Sequence, residues 1–122
     1  MFESGEMYLE TILILKKRNS LVRSIDIATE LNFSKPSVSR AVGILKDDGY
    51  ITVDASGAIE LTDTGKEVAK YVYEKHKTLT QFFIEIAKVS PETAEEDACR
   101  IEHVISDETF QSLKRILEEK KI

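Results

Sequence analysis

The chain has 122 residues, of which 42% are hydrophobic, and its formal net charge at pH 7 is −5. This length allows one compact domain, or two small domains that share a core. No run of about eighteen apolar residues is present, which excludes a transmembrane helix, and the acidic first residues differ from the basic start of a secretory signal. A single cysteine cannot form an internal disulfide, so a cytoplasmic protein in a reducing compartment is expected.

Three short helices are predicted at the start of the chain. Residues 6–16 place apolar side chains three and four positions apart, which is typical of an amphipathic helix. Ser24 is the expected N-cap of a second helix that extends to Leu31. Ser34 is the expected N-cap of a third helix, because Pro36 follows in its first turn, where a missing N–H group costs nothing.

A β-hairpin and three further helices are predicted after Gly49, which is expected to end the third helix. Residues 50–53 and 58–61 are β-branched or alternate in polarity, and residues 54–57 form a turn between them. Capping residues predict where the remaining helices begin. Those helices are expected to run from Asp63 or Thr64 to about Ala87, from Ser90–Pro91 to about Ile105, and from Ser106–Asp107 towards the end.

The first half of this pattern predicts a winged helix-turn-helix, in which the third helix enters the major groove of DNA with its N-terminus. Residues 31–46 contain no acid, although the chain as a whole is acidic. Hydroxyl and guanidinium groups can contact phosphates and base edges. The expected DNA-contacting residues are Ser34, Lys35, Pro36, Ser37, Ser39 and Arg40. A winged helix that contacts protein instead is the alternative.

The second half contains a group of metal-ligating residue types. On a helix, Cys99, Glu102 and His103 share a face, and Glu95 lies one turn earlier on the same face. Thiolate, carboxylate and imidazole together suit a borderline divalent transition metal better than calcium or magnesium. Each residue alone also has an ordinary structural role, since a lone cysteine is usually a small core residue and His76 alone would be a surface histidine.

Three other functions are alternatives to metal binding, and two of them use Cys99. Cys99 and His103 could act as nucleophile and base of a hydrolase, but no third orienting group is evident, so no enzyme is expected. Cys99 could instead be the sensor of a thiol-based redox regulator. A winged-helix protein without any effector is the third alternative.

Four segments resemble the diphtheria toxin repressor and manganese transport regulator family, and together they extend over nearly the whole chain. These segments are residues 6–10, 34–39, 61–66 and 97–107. The resemblance implies a repressor of metal-uptake genes that binds palindromic operator DNA as a homodimer when Fe²⁺ or Mn²⁺ is loaded.

The resemblance also implies a set of metal ligands from three parts of the chain. They are Met7, Cys99, Glu102 and His103 at a primary site, His76 at a neighbouring ancillary site, Glu10 as in manganese members, and Glu95 in place of an ancillary histidine of iron members. Sulfur at positions 7 and 99 favours Fe²⁺, with Mn²⁺ possible and Co²⁺, Ni²⁺ or Zn²⁺ as substitutes. Because Glu10 resembles the manganese class, the expected site is a hybrid.

The expected architecture is therefore mainly α, with a winged helix-turn-helix DNA-binding domain over residues 1–64. A helical metal-binding and dimerisation domain is expected over residues 65–122. The apolar stripes of the last two helices are the expected dimer surface. The SH3-like third domain of the larger iron repressors is expected to be absent.

Overall fold

The computed structural model describes residues 1–2 and 4–120, and these residues confirm the expected mainly α fold. The elements are α1 (Gly5–Arg18), α2 (Ser24–Leu31), α3 (Lys35–Asp47), β1 (Ile51–Val53), β2 (Ile59–Leu61), α4 (Asp63–Glu85), α5 (Pro91–Ile101) and α6 (Asp107–Lys120). The chain divides into two compact units, Met1–Lys70 and Tyr71–Ile122. The domain boundary expected between residues 64 and 65 stays a prediction, and positions 121 and 122 lie outside the described residues.

The N-terminal unit is built around one hydrophobic cluster, to which α1, α2, α3 and the hairpin all contribute. Its fully buried side chains include Leu9, Ile12, Val22, Ile27, Val38, Leu45, Ile51 and Ile59. The apolar stripe predicted for α3 is confirmed, since Val38, Ala41, Val42 and Leu45 are all buried. Burial of this stripe leaves the opposite face of α3 exposed to solvent.

An aromatic contact joins α1 to the turn before α3. Tyr8 on α1 is buried, and its ring lies edge-on to Phe33 with the ring centroids 6.2 Å apart. Burial raises the pKa of the Tyr8 hydroxyl. The ring of Phe2 also packs against Tyr8, with the ring centroids 6.2 Å apart. The turn that sets the direction of α3 is therefore packed directly against the first helix.

The starts of α2 and α3 use different caps. Ser34 caps α3 as predicted, because its Oγ accepts a hydrogen bond from the N–H of Ser37 at 3.3 Å. The prediction that Ser24 caps α2 is wrong: Ser24 is the first helical residue, and Arg23 is the N-cap. The reason is Asp26, whose carboxylate accepts the backbone N–H of Arg23 at 2.8 Å.

The hairpin predicted from residues 50–61 is confirmed as an antiparallel pair in which Val53 lies opposite Ile59. Its turn is held by Asp54, whose Oδ1 accepts the N–H groups of Ser56 and Ala58 at 2.8 and 3.0 Å. Hydrogen bonds from Ser56 and Ala58 hold the pKa of the Asp54 carboxyl below its usual range. Arg23 Nε donates to the carbonyl of Ser56 at 3.0 Å, which ties the wing turn to the start of α2.

The start of α4 is interlocked with the wing. Thr62, rather than the predicted Asp63 or Thr64, caps the helix: its Oγ1 accepts the N–H of Gly65 at 3.1 Å and donates to the carbonyl of Gly49 at 2.7 Å. A Cβ atom at Gly65 would lie only 2.0 Å from the backbone oxygen of Tyr50. The close approach of strand and helix therefore requires glycine at this position.

The C-terminal unit has a smaller core, formed by the last part of α4 with α5 and α6. Leu79, Ala98 and Phe110 are fully buried there, and partly buried Phe83 and Leu113 pack against them. The ring of Tyr71 lies edge-on to Phe110 with centroids 6.0 Å apart, and its hydroxyl donates to Asp107. Lys114 forms an ion pair with Glu74 at 2.5 Å, which also links α6 to α4.

Two predicted helix starts in this unit are confirmed, and one predicted helix end is wrong. Ser90 and Ser106 each accept the N–H of the residue three positions later, as caps do. However, α5 ends at Ile101 rather than near Ile105. The N–H groups of Val104 and Ile105 both donate to the carbonyl of Ile101, so the chain turns at residues 102–105 instead of continuing as a helix.

None of the helices in residues 1–2 and 4–120 has both the length and the apolar character needed to cross a membrane.

Candidate metal centre and nucleic-acid interface

A carboxylate with no solvent exposure lies at the end of α5. Glu102 is the C-cap residue of that helix, and its side chain is 0% exposed. Its Oε2 lies 2.9 Å from Nδ1 of His76 on α4, and its Oε1 lies 3.2 Å from Nε2 of His103. Burial of an ionised carboxylate is costly unless positive charge or hydrogen-bond donors compensate for it. The His76 ring, which forms a hydrogen bond with Oε2, supplies that compensation, and the His103 ring lies close to Oε1.

His76 is held by carboxylates at both ring nitrogens. Its Nε2 lies 2.8 Å from Oε1 of Glu95 on α5, while Nδ1 contacts Glu102. The hydrogen bond to Glu102 is the main cause that raises the pKa of His76 to about 9, and Glu95 adds to it, while burial acts in the opposite direction. At neutral pH the ring is therefore an imidazolium that donates to both carboxylates.

The predicted ligands of the C-terminal unit differ in their exposure to solvent. The His76 side chain is 16% exposed and that of His103 is 21% exposed, whereas Glu95 is 62% exposed. Cys99 is exposed on α5, one turn before Glu102. The structure thus brings four of the predicted residues into one cluster of close polar contacts around Glu102, which we call the Glu102 cluster: His76, Glu95, Glu102 and His103.

Met7 and Glu10 lie on α1, in the N-terminal unit. The carbonyl oxygen of Met7 accepts a hydrogen bond from the hydroxyl of Thr11 at 2.8 Å. The residues of α1 that are buried in the core occupy other positions of the helix, including Leu9 and Ile12. The role of Met7 and Glu10 as ligands stays a prediction.

The chemistry of the Glu102 cluster fits a divalent transition metal. Imidazole nitrogens together with carboxylate oxygens are ligands for iron, manganese, cobalt and zinc. The buried carboxylate of Glu102 is already compensated by one positive charge, that of His76. A cation at this place would meet two carboxylates, from Glu95 and Glu102, so the local charge favours binding.

The predicted DNA-contacting residues form one exposed surface at the start of α3. All six are exposed, and they occupy the N-cap and the first two turns of the helix: Ser34, Lys35, Pro36, Ser37, Ser39 and Arg40. Because the buried stripe of α3 faces the core, this surface is the part of the helix that a groove of DNA could reach. The unit therefore has the element order and the exposed helix of a winged helix-turn-helix.

Lys35 and Arg40 on this surface differ from other cations of the N-terminal unit in their ion pairing. Lys16 and Arg18 on α1 are paired with Glu60 and Glu30, at 2.6 and 2.5 Å. Among residues 1–2 and 4–120, no carboxylate forms such a pair with Lys35 or Arg40. Their charge is thus available to an anionic partner, in spite of the acidic chain.

Some functional contacts were not predicted from the sequence. His76 and Glu102 were separate candidates, and their hydrogen bond joins positions 26 apart in the chain. The contact of Arg23 with the wing turn was also not predicted. A basic residue directly before α2 was the only signal for that contact.

Comparisons with known proteins cover both halves of the chain. Residues 1–59 match the family model "Iron dependent repressor, N-terminal DNA binding domain", and residues 62–121 match "Iron dependent repressor, metal binding and dimerisation domain". The chain is 36% identical over 122 residues to an uncharacterised HTH-type transcriptional regulator of Methanocaldococcus jannaschii, with 99% of this chain and 98% of the relative covered.

Better-known relatives are longer than this chain. The diphtheria toxin repressor of Corynebacterium diphtheriae is 31% identical over 119 residues, which cover 98% of this chain but only 53% of the relative. A solved structure of the manganese regulator SloR has a TM-score of 0.83 and 27% identity, with 97% of this chain and 55% of the other covered. The chain spans about half the length of these two proteins. Together, the two domain matches and the full-length relative show that the chain belongs to the iron-dependent repressor family of transcriptional regulators, as its resemblance to the diphtheria toxin repressor family predicted.

Proposed function

We propose that this chain is a cytoplasmic repressor of metal-uptake genes, which binds palindromic operator DNA as a homodimer when it is loaded with Fe²⁺ or Mn²⁺. The observation that carries the proposal is the Glu102 cluster, a buried carboxylate between two histidines within the domain matched to metal binding. The exposed, uncompensated cations of α3 support the DNA-binding part.

The proposed ligands combine the Glu102 cluster with residues implied by the resemblance. They are His76, Glu95, Glu102 and His103 from the cluster, Cys99 from α5, and Met7 and Glu10 from α1. The sulfur atoms of Met7 and Cys99 favour Fe²⁺ over Mn²⁺, because softer ligands select the softer ion. Co²⁺, Ni²⁺ and Zn²⁺ are expected to substitute for it in solution.

In the metal-free protein, the single positive charge of the His76 ring offsets part of the negative charge of Glu102 and Glu95. A bound divalent ion would supply two positive charges to the same carboxylates. His76 must then give up the proton on the nitrogen that becomes a ligand.

The link to DNA runs through α1 in this proposal. Leu9 and Ile12 of α1 share one hydrophobic cluster with Val38 of α3, and Tyr8 packs against Phe33 in the preceding turn. Fixing Met7 and Glu10 would therefore restrict α1, and through these contacts α3. Such coupling must be reciprocal, so that DNA tightens metal binding by the factor by which metal tightens DNA binding.

The proposed dimer surface lies on the C-terminal unit. Val104 in the turn after α5 and Ile116 on α6 are apolar and exposed. The small core of this unit leaves such side chains uncovered, as expected for a surface that a second copy would cover. Two recognition helices would then engage half-sites about one DNA turn apart, roughly 34 Å.

Anaerobic titration of the reduced metal-free protein tests the function. Fe(II), Mn(II) and Co(II) are added, bound ions are counted per chain, and binding to a duplex selected from a random pool is measured with and without metal. We expect DNA affinity to rise at least about tenfold on metal loading, and metal affinity to rise equally on adding DNA. Equal affinities with and without the partner would exclude the regulatory mechanism.

The same titration tests the choice of metal. With Co(II), a sulfur-to-metal absorption band that disappears in Cys99→Ser would support thiolate ligation, and Fe(II) should then compete better than Mn(II). If no ion binds more tightly than about 1 mM, a constitutive winged helix or a thiol-based sensor becomes the better interpretation.

Metal binding is expected to release protons, because the pKa of His76 is about 9. Between pH 7 and 9 the ion must displace about one proton from His76, so this residue should raise the apparent affinity about tenfold per pH unit up to pH 9, in addition to the effect of the proton that the Cys99 thiol loses on binding. The stability of the metal-free protein should depend on pH in the opposite direction. The stabilisation by protonated His76 is complete below its ordinary pKa of 6.5 and is lost as the pH rises through 9. A pH indicator in weakly buffered solution measures the release, and His76→Gln should lower it by about one proton per chain. Affinity that does not change from pH 7 to 9 would contradict this expectation.

A further inference from the structure

The outermost ridge of α3 contains a glycine that has no structural role within the described part of the protein. Pro36, Arg40, Gly43 and Asp47 are spaced i, i+4, i+7 and i+11, so they lie along one line of the helix. The buried residues of α3, such as Val38 and Val42, lie on the opposite side. This ridge therefore points directly away from the core.

Glycine in the middle of a helix is destabilising relative to alanine, because it loses more backbone freedom on folding. Such a residue usually has a packing reason. Gly65 has one, since a Cβ there would collide with the backbone of Tyr50. Gly43 has none among residues 1–2 and 4–120: a Cβ built at this position meets no atom of theirs within 4 Å, and no positive φ angle requires glycine.

We propose that the backbone of α3 passes close to bound DNA at Gly43, and that the missing side chain sets how deeply the helix enters the major groove. The inference rests on the proposed DNA-binding function, in which Pro36 and Arg40 of the same ridge contact DNA. Gly43 continues their line by about one turn beyond Arg40, where a helix lying in the groove must pass the groove walls. A side chain here would hold the helix away from the bases that Ser37 and Arg40 approach.

Two substitutions at Gly43 and one elsewhere test this inference in the full-length, Mn(II)-loaded protein. Gly43→Ala and Gly43→Leu add small and large side chains on the ridge. Thr29→Leu is the matched control, because Thr29 is exposed on the neighbouring α2 and the change also adds an apolar side chain to a helix. The probe is a duplex selected from a random pool by the loaded wild-type protein.

We expect Gly43→Leu to weaken DNA binding by about tenfold or more, and Gly43→Ala by a smaller factor, since overfilling a close contact is unfavourable. Both variants should melt at the same or a higher temperature than wild type, with Gly43→Ala higher by about 2–5 °C. Thr29→Leu should leave DNA affinity unchanged. If Gly43 had a structural role, its substitution would lower both the melting temperature and the DNA affinity. Weaker DNA binding at equal or higher melting temperature therefore distinguishes a contact with DNA from a structural role.

Unchanged DNA affinity in a stable Gly43→Leu variant would overturn the inference. If that variant melts at a lower temperature than wild type, Gly43→Ala decides: weaker binding at equal or higher stability supports the inference, and equal binding overturns it. Failure of the wild-type protein to select any duplex would instead remove the proposed function, and the inference with it.

Discussion

Replacing Glu102 by glutamine is expected to lower the affinity for Fe(II) and Mn(II) at least about a hundredfold, and to abolish metal-dependent DNA binding. Glutamine has nearly the same shape, but it removes the buried negative charge that lies between His76 and His103. The pKa of His76 should fall in the same variant, because the hydrogen bond to Glu102 is the largest contribution that raises it.

Glu96→Gln is the matched control for this experiment. Glu96 is an exposed residue of the same helix, and its substitution removes the same charge from the surface. Metal affinity is measured by competition with a chelating dye, and the His76 titration by NMR of its ring protons. If Glu102→Gln keeps its metal response, the Glu102 cluster is not the metal site. Retained control by an oxidant without metal would favour a thiol-based sensor at Cys99.

Replacing Gly65 by alanine is expected to lower the free energy of unfolding of the N-terminal unit by about 2–4 kcal/mol. The added Cβ would lie 2.0 Å from the backbone oxygen of Tyr50 and 3.4 Å from a methyl carbon of Leu61. A backbone atom cannot rotate away as a flexible side chain can. The wing and the start of α4 must therefore separate. This separation also weakens the hydrogen bonds that Thr62 forms with Gly49 and Gly65.

Gly43→Ala serves as the control for the Gly65 variant, because both place one methyl group on a helical glycine. At Gly43 the methyl meets open space, so stability should rise by about 0.5–1 kcal/mol. Urea unfolding followed by circular dichroism measures both changes. Changes of the same sign would show that the approach of the wing to α4 is less rigid than the structure indicates.

Local signals in the sequence predicted most of the fold. The serine caps of α3, α5 and α6 satisfy backbone N–H groups within three residues, so a short pattern is sufficient to identify them. The cap of α2 was missed because Asp26, at the third helical position, accepts the backbone N–H of Arg23, so the helix begins with Arg23 as its N-cap. The cap of α4 was placed one or two residues late, because Thr62 also bonds to Gly49 across the wing.

The candidate site was predictable in its residue types but not in its geometry. Helical spacing placed Glu95 and Glu102 on one face, and both contact the ring of His76. The spacing of residue types could not show that α5 ends at Ile101. The helix ends there because the N–H groups of Val104 and Ile105 both donate to the carbonyl of Ile101, which produces a turn. It also could not show that Glu102 is fully buried, because burial depends on packing between helices that are distant in sequence.

The division of α1 into two faces has a consequence for how this protein can evolve. Tyr8, Leu9 and Ile12 are buried in the core that also holds α3, whereas Met7 and Glu10 occupy other positions on the helix. Deleting α1 to obtain a metal-independent regulator would therefore expose the core and unfold the DNA-binding unit. Exchanging Met7 or Glu10 leaves the buried residues unchanged, so, if these two residues bind metal as proposed, mutation and selection can adjust the response to metal one residue at a time while the fold persists.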